Sequence, residues 1–247
     1  MLGALKKFFS SQPARHEWSE VADWAAQQRH EFRRAREDQG FVIEGQLGGK
    51  PWRLEWGPPQ RPYIKGHELR LRMELSLPSD MQMLLLTRPL MGELERQTFE
   101  NFTESNQTQI DTATPEEMCW LVMFPRVPLT EFPTLRAHLG AVASEPEHGL
   151  SWLAGPLAQV LERCVGNLLT GDPPFVLMTL RGRTYLRLEL DDPSAANIAA
   201  AIAVFEAAVT QAVRVAGSAG GAANDWPTTS STAWQTLEPL DPVPPRR

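Results

Sequence analysis

The chain has 247 residues, enough for one large domain or two small ones. Hydrophobic residues make up 42% and charged residues 22%, a globular balance that excludes wholesale disorder. The net charge of −6 and a pI near 5.5 argue against generic binding to a phosphate backbone, and two cysteines exclude a disulfide scaffold.

The start, MLGALKKFF, is too short an apolar run for a signal sequence, and Lys6 and Lys7 interrupt it. No stretch reaches the roughly 18 uninterrupted apolar residues of a membrane span. The expected compartment is the cytoplasm, and residues 1–9 read as a frayed helix start, with a small amphipathic piece touching a membrane surface as the alternative. Residues 15–38 read as a helix. Trp18, Val21, Ala25, Gln28, Phe32 and Ala35 recur at spacings of three and four, and Gly40 is the stop signal.

The period then changes from helical to alternating. Phe41-Val42-Ile43, the turn dipeptide Gly48-Gly49 and Trp52-Arg53-Leu54-Glu55-Trp56 predict a hairpin. Pro58, Pro59 and Pro62 make the next segment an extended connection, because proline removes ladder donors. In His67–Leu77, Leu69, Leu71, Met73 and Leu75 alternate with Glu68, Arg70, Arg72 and Glu74. Met81–Leu86 is a fourth strand, so residues 40–87 are expected to form a four-strand antiparallel meander, apolar on one face and charged on the other.

Pro89–Phe99 suits a helix with proline near its first turn, and 101–114 reads as a loop. The apolar run Met118–Phe124, ended by Pro125, fits a buried strand or a short helix, and the strand is the favoured reading. Residues 132–139 and 150–169 read as helices, with Pro156 marking a start or a kink. Phe175–Leu180 and Tyr185–Leu190 are strands around Arg181-Gly182-Arg183-Thr184. Asp192 as cap and Pro193 at the first position open a final helix, which ends near Gly217. Residues 217–247 are rich in glycine and proline and read as a flexible tail.

Segments 41–55 and 175–189 share an apolar start, a glycine turn with a basic residue, an aromatic and Arg-Leu-Glu. Convergent hairpin chemistry explains the echo. Two related halves, 40–128 and 129–216, are the alternative.

Motifs for chemistry are missing from the sequence. It contains no HExxH, Cys-x-x-Cys, P-loop or G-x-S-x-G, so no metal site or cofactor is expected and no catalytic residue is assigned. Cys119 and Cys164 stand in apolar contexts and read as buried reduced thiols. The paired carboxylates Asp191-Asp192 and Glu116-Glu117 are explained by helix starts.

Two features remain. Arg53, Arg70, Arg72 and Arg187 alternate with glutamates on strand faces. Cross-strand pairing accounts for them at about 0.2–1 kcal/mol a pair, and the functional alternative is a guanidinium-lined groove for a peptide, carboxylate or nucleotide anion. The stiff connection containing Trp56, Arg61, Tyr63, Lys65 and His67 mixes aromatic and basic groups, as a binding rim does.

The sequence therefore predicts an α+β fold. An antiparallel sheet is built from an N-terminal meander and a C-terminal hairpin, with helices packed on one face. Residues 1–39 supply an N-terminal amphipathic helix packing on the main domain, 40–216 the α+β domain, and 217–247 a disordered tail. The element order (helix, three strands, helix, two strands, helix) resembles the small acidic chaperones of type III secretion, in a far longer chain, and implies a chaperone-like binding role. The function expected is a non-enzymatic protein-binding or adaptor module, with another protein or a second copy as partner and no nucleic acid. The alternatives are an anion-binding protein or a hydrolytic enzyme whose residues are scattered in sequence, and a peripheral membrane protein.

Overall fold

The structure is a computed structural model that describes residues 18–35, 39–104 and 115–220. Eight strands form one antiparallel sheet. They are β1 (Glu31–Arg34), β2 (Phe41–Leu47), β3 (Lys50–Gly57), β4 (Glu68–Glu74), β5 (Met83–Thr87), β6 (Leu139–Ala143), β7 (Phe175–Leu180) and β8 (Arg183–Glu189). The order across the sheet is β1-β2-β3-β4-β8-β7-β5-β6. The two expected hairpins thus share one sheet, and the fold is α+β.

Alternation dictates the two faces. Phe41, Ile43, Trp52, Leu54, Trp56, Leu69, Leu71, Phe175, Leu177, Leu186 and Leu188 point to one side and are almost wholly buried. Onto that side pack α1 (Ser19–Gln27), α4 (Pro133–His138), α5 (Pro146–Leu153), α6 (Pro156–Val165) and α7 (Ala195–Gly220). The α7 helix is long and apolar enough to cross a membrane by length and composition. Here Ile198, Ile202, Phe205 and Val209 enter the sheet core instead, and its alanines let the sheet and α5 and α6 approach closely.

The opposite face is divided. Leu84, Leu86, Val142, Val176 and Met178 form a second core with Leu90, Met91 and Leu94 of α2 (Arg88–Glu104) and Met118, Trp120 and Leu121 of α3 (Glu116–Met123). Helices therefore lie on both faces, where the sequence placed them on one. The α2–α3 pair covers β5, β6 and β7 and its cluster reaches Tyr185 at the near side of β8. Over β1–β4 and β8 the face carries the alternating arginines and glutamates, and no helix among the described residues covers it.

Several expected elements are corrected. The helix expected over 15–38 ends at Gln27. Arg29, at φ 62°, donates to Ala26 O at 3.0 Å, and His30 donates to Ala25 O at 2.8 Å, the two bonds of a Schellman end. Arginine occupies the left-handed position where glycine is usual, so the stop was invisible. Glu31–Arg34 then alternates and pairs with β2, Phe32 opposite Ile43 and Arg33 opposite Val42.

The run Met118–Phe124 is helix α3 rather than a strand, buried through Met118, Trp120 and Leu121 while Val122 and Met123 face outward. The expected four-strand meander holds for β2, β3 and β4. Its next member, β5, lies beyond β8 and β7, because its run Met83–Leu86 is apolar on both faces and needs cover on both. The short strand β6, LGAVA, was not anticipated and lies at the far edge. The 150–169 helix is two helices broken at Gly155, whose φ is 71°. The cap of α7 is Ser194, whose Oγ accepts the Asn197 N–H at 3.3 Å, two residues after the expected Asp192. That helix continues to Gly220, past the expected end at Gly217. The amphipathic start at 1–9, most of the 101–114 loop and the tail from 221 onward lie outside the described residues.

Candidate functional site

The seam where α3 meets the uncovered half of the sheet gathers four arginines and their carboxylate partners. Three pieces of chain build it. The connection after β3, stiffened by Pro58, Pro59 and Pro62, carries Arg61 and Tyr63 to the seam. Glu116 and Glu117 sit in the first turn of α3, where the helix dipole favours anions. The β7–β8 turn and β8 add Arg181, Arg183, Tyr185 and Arg187.

Glu117 is fully buried. It accepts from Arg61 Nε at 2.8 Å, from Arg61 Nη2 at 3.4 Å and from the Tyr63 hydroxyl at 2.5 Å. Burial, together with the neighbouring Glu117 carboxylate, pushes the Tyr63 phenol far above its ordinary range and keeps it a neutral donor. Burial opposes the charge on Arg61, but the Glu117 carboxylate outweighs it and raises the guanidinium pKa.

Glu68 is a second fully buried carboxylate. It accepts from Arg187, from Arg70 Nη1 at 3.3 Å and from the Gln60 N–H at 2.6 Å. Each buried carboxylate thus fixes guanidinium groups from behind.

In front of them lies a cavity of about 260 Å³. Arg61, Arg181, Arg183, Arg187, Tyr185, Glu116, Met178 and Leu180 line it. Arg183 also pairs with Glu74 at 2.7 Å and Arg181 with Glu116 at 3.3 Å, both with well-exposed guanidiniums. Four guanidiniums around one small concavity suit a planar oxyanion, which accepts two parallel N–H bonds from an arginine.

The residues singled out in the sequence divide among three places. Arg61, Tyr63 and Arg187 meet at this cavity. Arg53, Arg70 and Arg72 lie on the open face beside it. Arg53 pairs with Glu44 and Glu55 at 2.6 Å each, and Arg70 with Glu55 at 3.4 Å. The hydrogen bond from Arg53 holds Glu44 below the usual carboxylate range. Arg72 stands between Arg53 and Tyr185 in the cross-strand row and makes no ion pair among the described residues. Lys65 is exposed, and its backbone N–H donates to Glu189 at 2.7 Å.

Trp56 and His67 belong to a separate cavity of about 410 Å³, bordered also by Trp18, Glu20, Asp191 and Ser194. His67 stacks on Trp56 with centroids 4.4 Å apart. Asp191 accepts the His67 backbone N–H at 3.0 Å. The Trp56 indole donates to Leu190 O at 2.7 Å and Phe41 stacks on its ring at 5.5 Å, so both faces and the polar edge of Trp56 are engaged. Within this cavity the Trp56 ring is therefore committed to contacts inside the chain.

Sequence reasoning missed Arg181, Arg183, Tyr185, Glu116 and Glu117 as site members. Arg181 and Arg183 read as turn residues, and the two glutamates as a helix start. Only the non-consecutive pairing of β4 with β8 brings them beside Arg61. No set of three or more metal-ligating side chains that could hold an ion occurs among the described residues.

No family model matches the chain, and no curated protein matches it. Among solved structures, the chain is similar to the crystal structure of the mycobacterial trehalose monomycolate transport factor A, TtfA, with 7% sequence identity and a TM-score of 0.45, over 79% of this chain and 93% of that one.

Proposed function

We propose that the protein is a non-catalytic binding module that docks a carboxylate-bearing segment of a partner protein at the arginine cavity. The observation that supports this reading is the pair of buried carboxylates, Glu117 and Glu68, which hold Arg61 and Arg187 in place before any ligand arrives. Guanidiniums fixed in this way lose little freedom on binding, which favours directed recognition of an oxyanion. The same carboxylates balance the charge, so affinity comes from aimed N–H donors rather than from a long-range field. The open charged face continues from the cavity across β4, β3 and β2, giving an extended segment a surface to lie on.

The test titrates the full chain by calorimetry with a glutamate-rich decapeptide and, separately, with inorganic phosphate. The double variant R181A/R183A removes two exposed arginines and leaves the buried pairs intact. The expected result is peptide binding by the parent chain that is lost in the variant, with the melting temperature unchanged. Equal binding by both chains, or binding of phosphate without the peptide, overturns the reading.

A further inference from the structure

The arginine cavity is apolar along one wall. Alternation puts Met178 and Leu180 of β7 and Arg183, Tyr185 and Arg187 of β8 on the same face of the sheet. Met178 lies opposite Tyr185, Leu180 opposite Arg183 and Val176 opposite Arg187. Met178, Leu180 and Tyr185 border the cavity and pack against the core beneath α2 and α3. Each cavity arginine of β8 thus stands beside an apolar residue of β7, at the roughly 4.5–5.5 Å that separates the Cβ atoms of directly opposed residues.

The cavity is also a dead end. A segment that lies on the open face over β2, β3 and β4 and runs toward β7 meets the first turn of α3, which the Arg181–Glu116 pair at 3.3 Å ties to the β7–β8 turn. The volume of about 260 Å³ falls below the roughly 300–1,000 Å³ of sites that enclose a whole drug-sized ligand. Such a space receives the end of a chain more readily than its middle.

We infer that the occupant of the arginine cavity is the C-terminal residue of the partner chain, with its α-carboxylate among the guanidiniums and an aliphatic side chain against Met178, Leu180 and Tyr185. The assignment rests on the docking proposed above and specifies which carboxylate enters. A C-terminal residue carries its carboxylate and its side chain on one carbon, which suits guanidinium and apolar wall set side by side. A glutamate side chain ends in its carboxylate and has nothing beyond it to meet that wall. The donors fit as well. Arg187 gives Nη1 to Glu68, which leaves the Nε–Nη2 edge of its guanidinium unpaired among the described residues. Two parallel N–H groups on such an edge match the two oxygens of a carboxylate. Capture of a chain terminus by converging N–H donors is an established mode of peptide recognition.

The test titrates the full chain by calorimetry with N-acetylated glutamate-rich decapeptides that differ only at the last residue: leucine with a free carboxylate, leucine amide, and serine with a free carboxylate. N-acetyl-leucine is the fourth probe. The leucine acid is expected to bind about tenfold tighter than its amide, which lacks the charge-assisted bonds. It is expected to bind about threefold tighter than the serine acid, because the wall offers only part of a side chain's burial. N-acetyl-leucine is expected to bind more weakly than the leucine decapeptide. Equal binding of the three decapeptides overturns the inference and leaves the docking of a carboxylate-bearing segment intact, since glutamate side chains then suffice. Serine binding as tightly as leucine overturns it by removing the apolar wall. N-acetyl-leucine binding as tightly as the leucine decapeptide overturns it in favour of a small free acid. Binding of none of the decapeptides removes the docking itself and the inference with it.

Discussion

Replacing Glu117 and Arg61 by leucine, singly and together, probes how the arginine cavity is held in shape. Glu117→Leu leaves Arg61 with only a quarter of its side chain exposed and no carboxylate, and leaves the Tyr63 hydroxyl without its acceptor. Breaking a buried pair from one side costs about 3–5 kcal/mol. The partial exposure of Arg61 lets water reach it, so the lower end, about 3 kcal/mol, applies here. Arg61→Leu strands a carboxylate that is fully buried and retains only Tyr63, so the upper end, about 5 kcal/mol, is expected. The double variant removes both charges and keeps roughly the same volume. What it loses is the Tyr63 hydrogen bond, about 1–2 kcal/mol for a buried hydroxyl left unpaired. The double variant should therefore be more stable than either single one. Equilibrium urea unfolding followed by circular dichroism gives all four stabilities. If the two single losses simply add in the double variant, the pair is not coupled and the preorganisation argument fails.

Two further outcomes follow from the same geometry. Because the phenol pKa of Tyr63 is raised in the folded state, its contribution to stability is fully present below the ordinary tyrosine pKa of about 10 and is lost as pH rises toward the folded value. On alkaline titration, the part of the phenolate absorbance at about 295 nm that Tyr63→Phe abolishes should appear only together with loss of secondary structure; if it appears before unfolding, the burial argument is wrong. Burial pushes the Cys164 thiol up to about 11, so Cys164→Ser should leave the labelling rate of the native chain by a thiol reagent at pH 8 unchanged, and a several-fold drop would show that Cys164 is open to solvent.

Strand alternation made the charged and apolar faces of β3, β4 and β8 readable from sequence, and glycine turns located both hairpins. The long C-terminal helix was readable from its periodic Ile, Phe and Val residues. What escaped has physical causes. The end of α1 depends on Arg29 taking a left-handed conformation that sequence assigns to glycine. The strand reading of Met118–Phe124 came from an apolar run too short to distinguish strand from buried helix. Of the site, Arg61, Tyr63 and Arg187 were identified as polar groups in stiff or alternating contexts. Glu117 was not, because its role exists only once the helix start of α3 lies against the connection after β3. Local pattern carries the elements; the site is assembled by a long-range pairing that no local pattern encodes.

That pairing has a consequence for how the chain is made. β4 bonds to β8 from Glu68–Glu189 to Glu74–Arg183, across more than a hundred intervening residues. During synthesis, β1–β4 leave the ribosome long before β8 exists, and the flank of β4 must wait open. The alternating arginines and glutamates on that half give the waiting strands one well-hydrated side and a means of resisting premature association. Completion of the sheet is thus a late event, set by the arrival of the β7–β8 turn. The same turn delivers Arg181 and Arg183, so the arginine cavity is complete only once the second half of the sheet is in place.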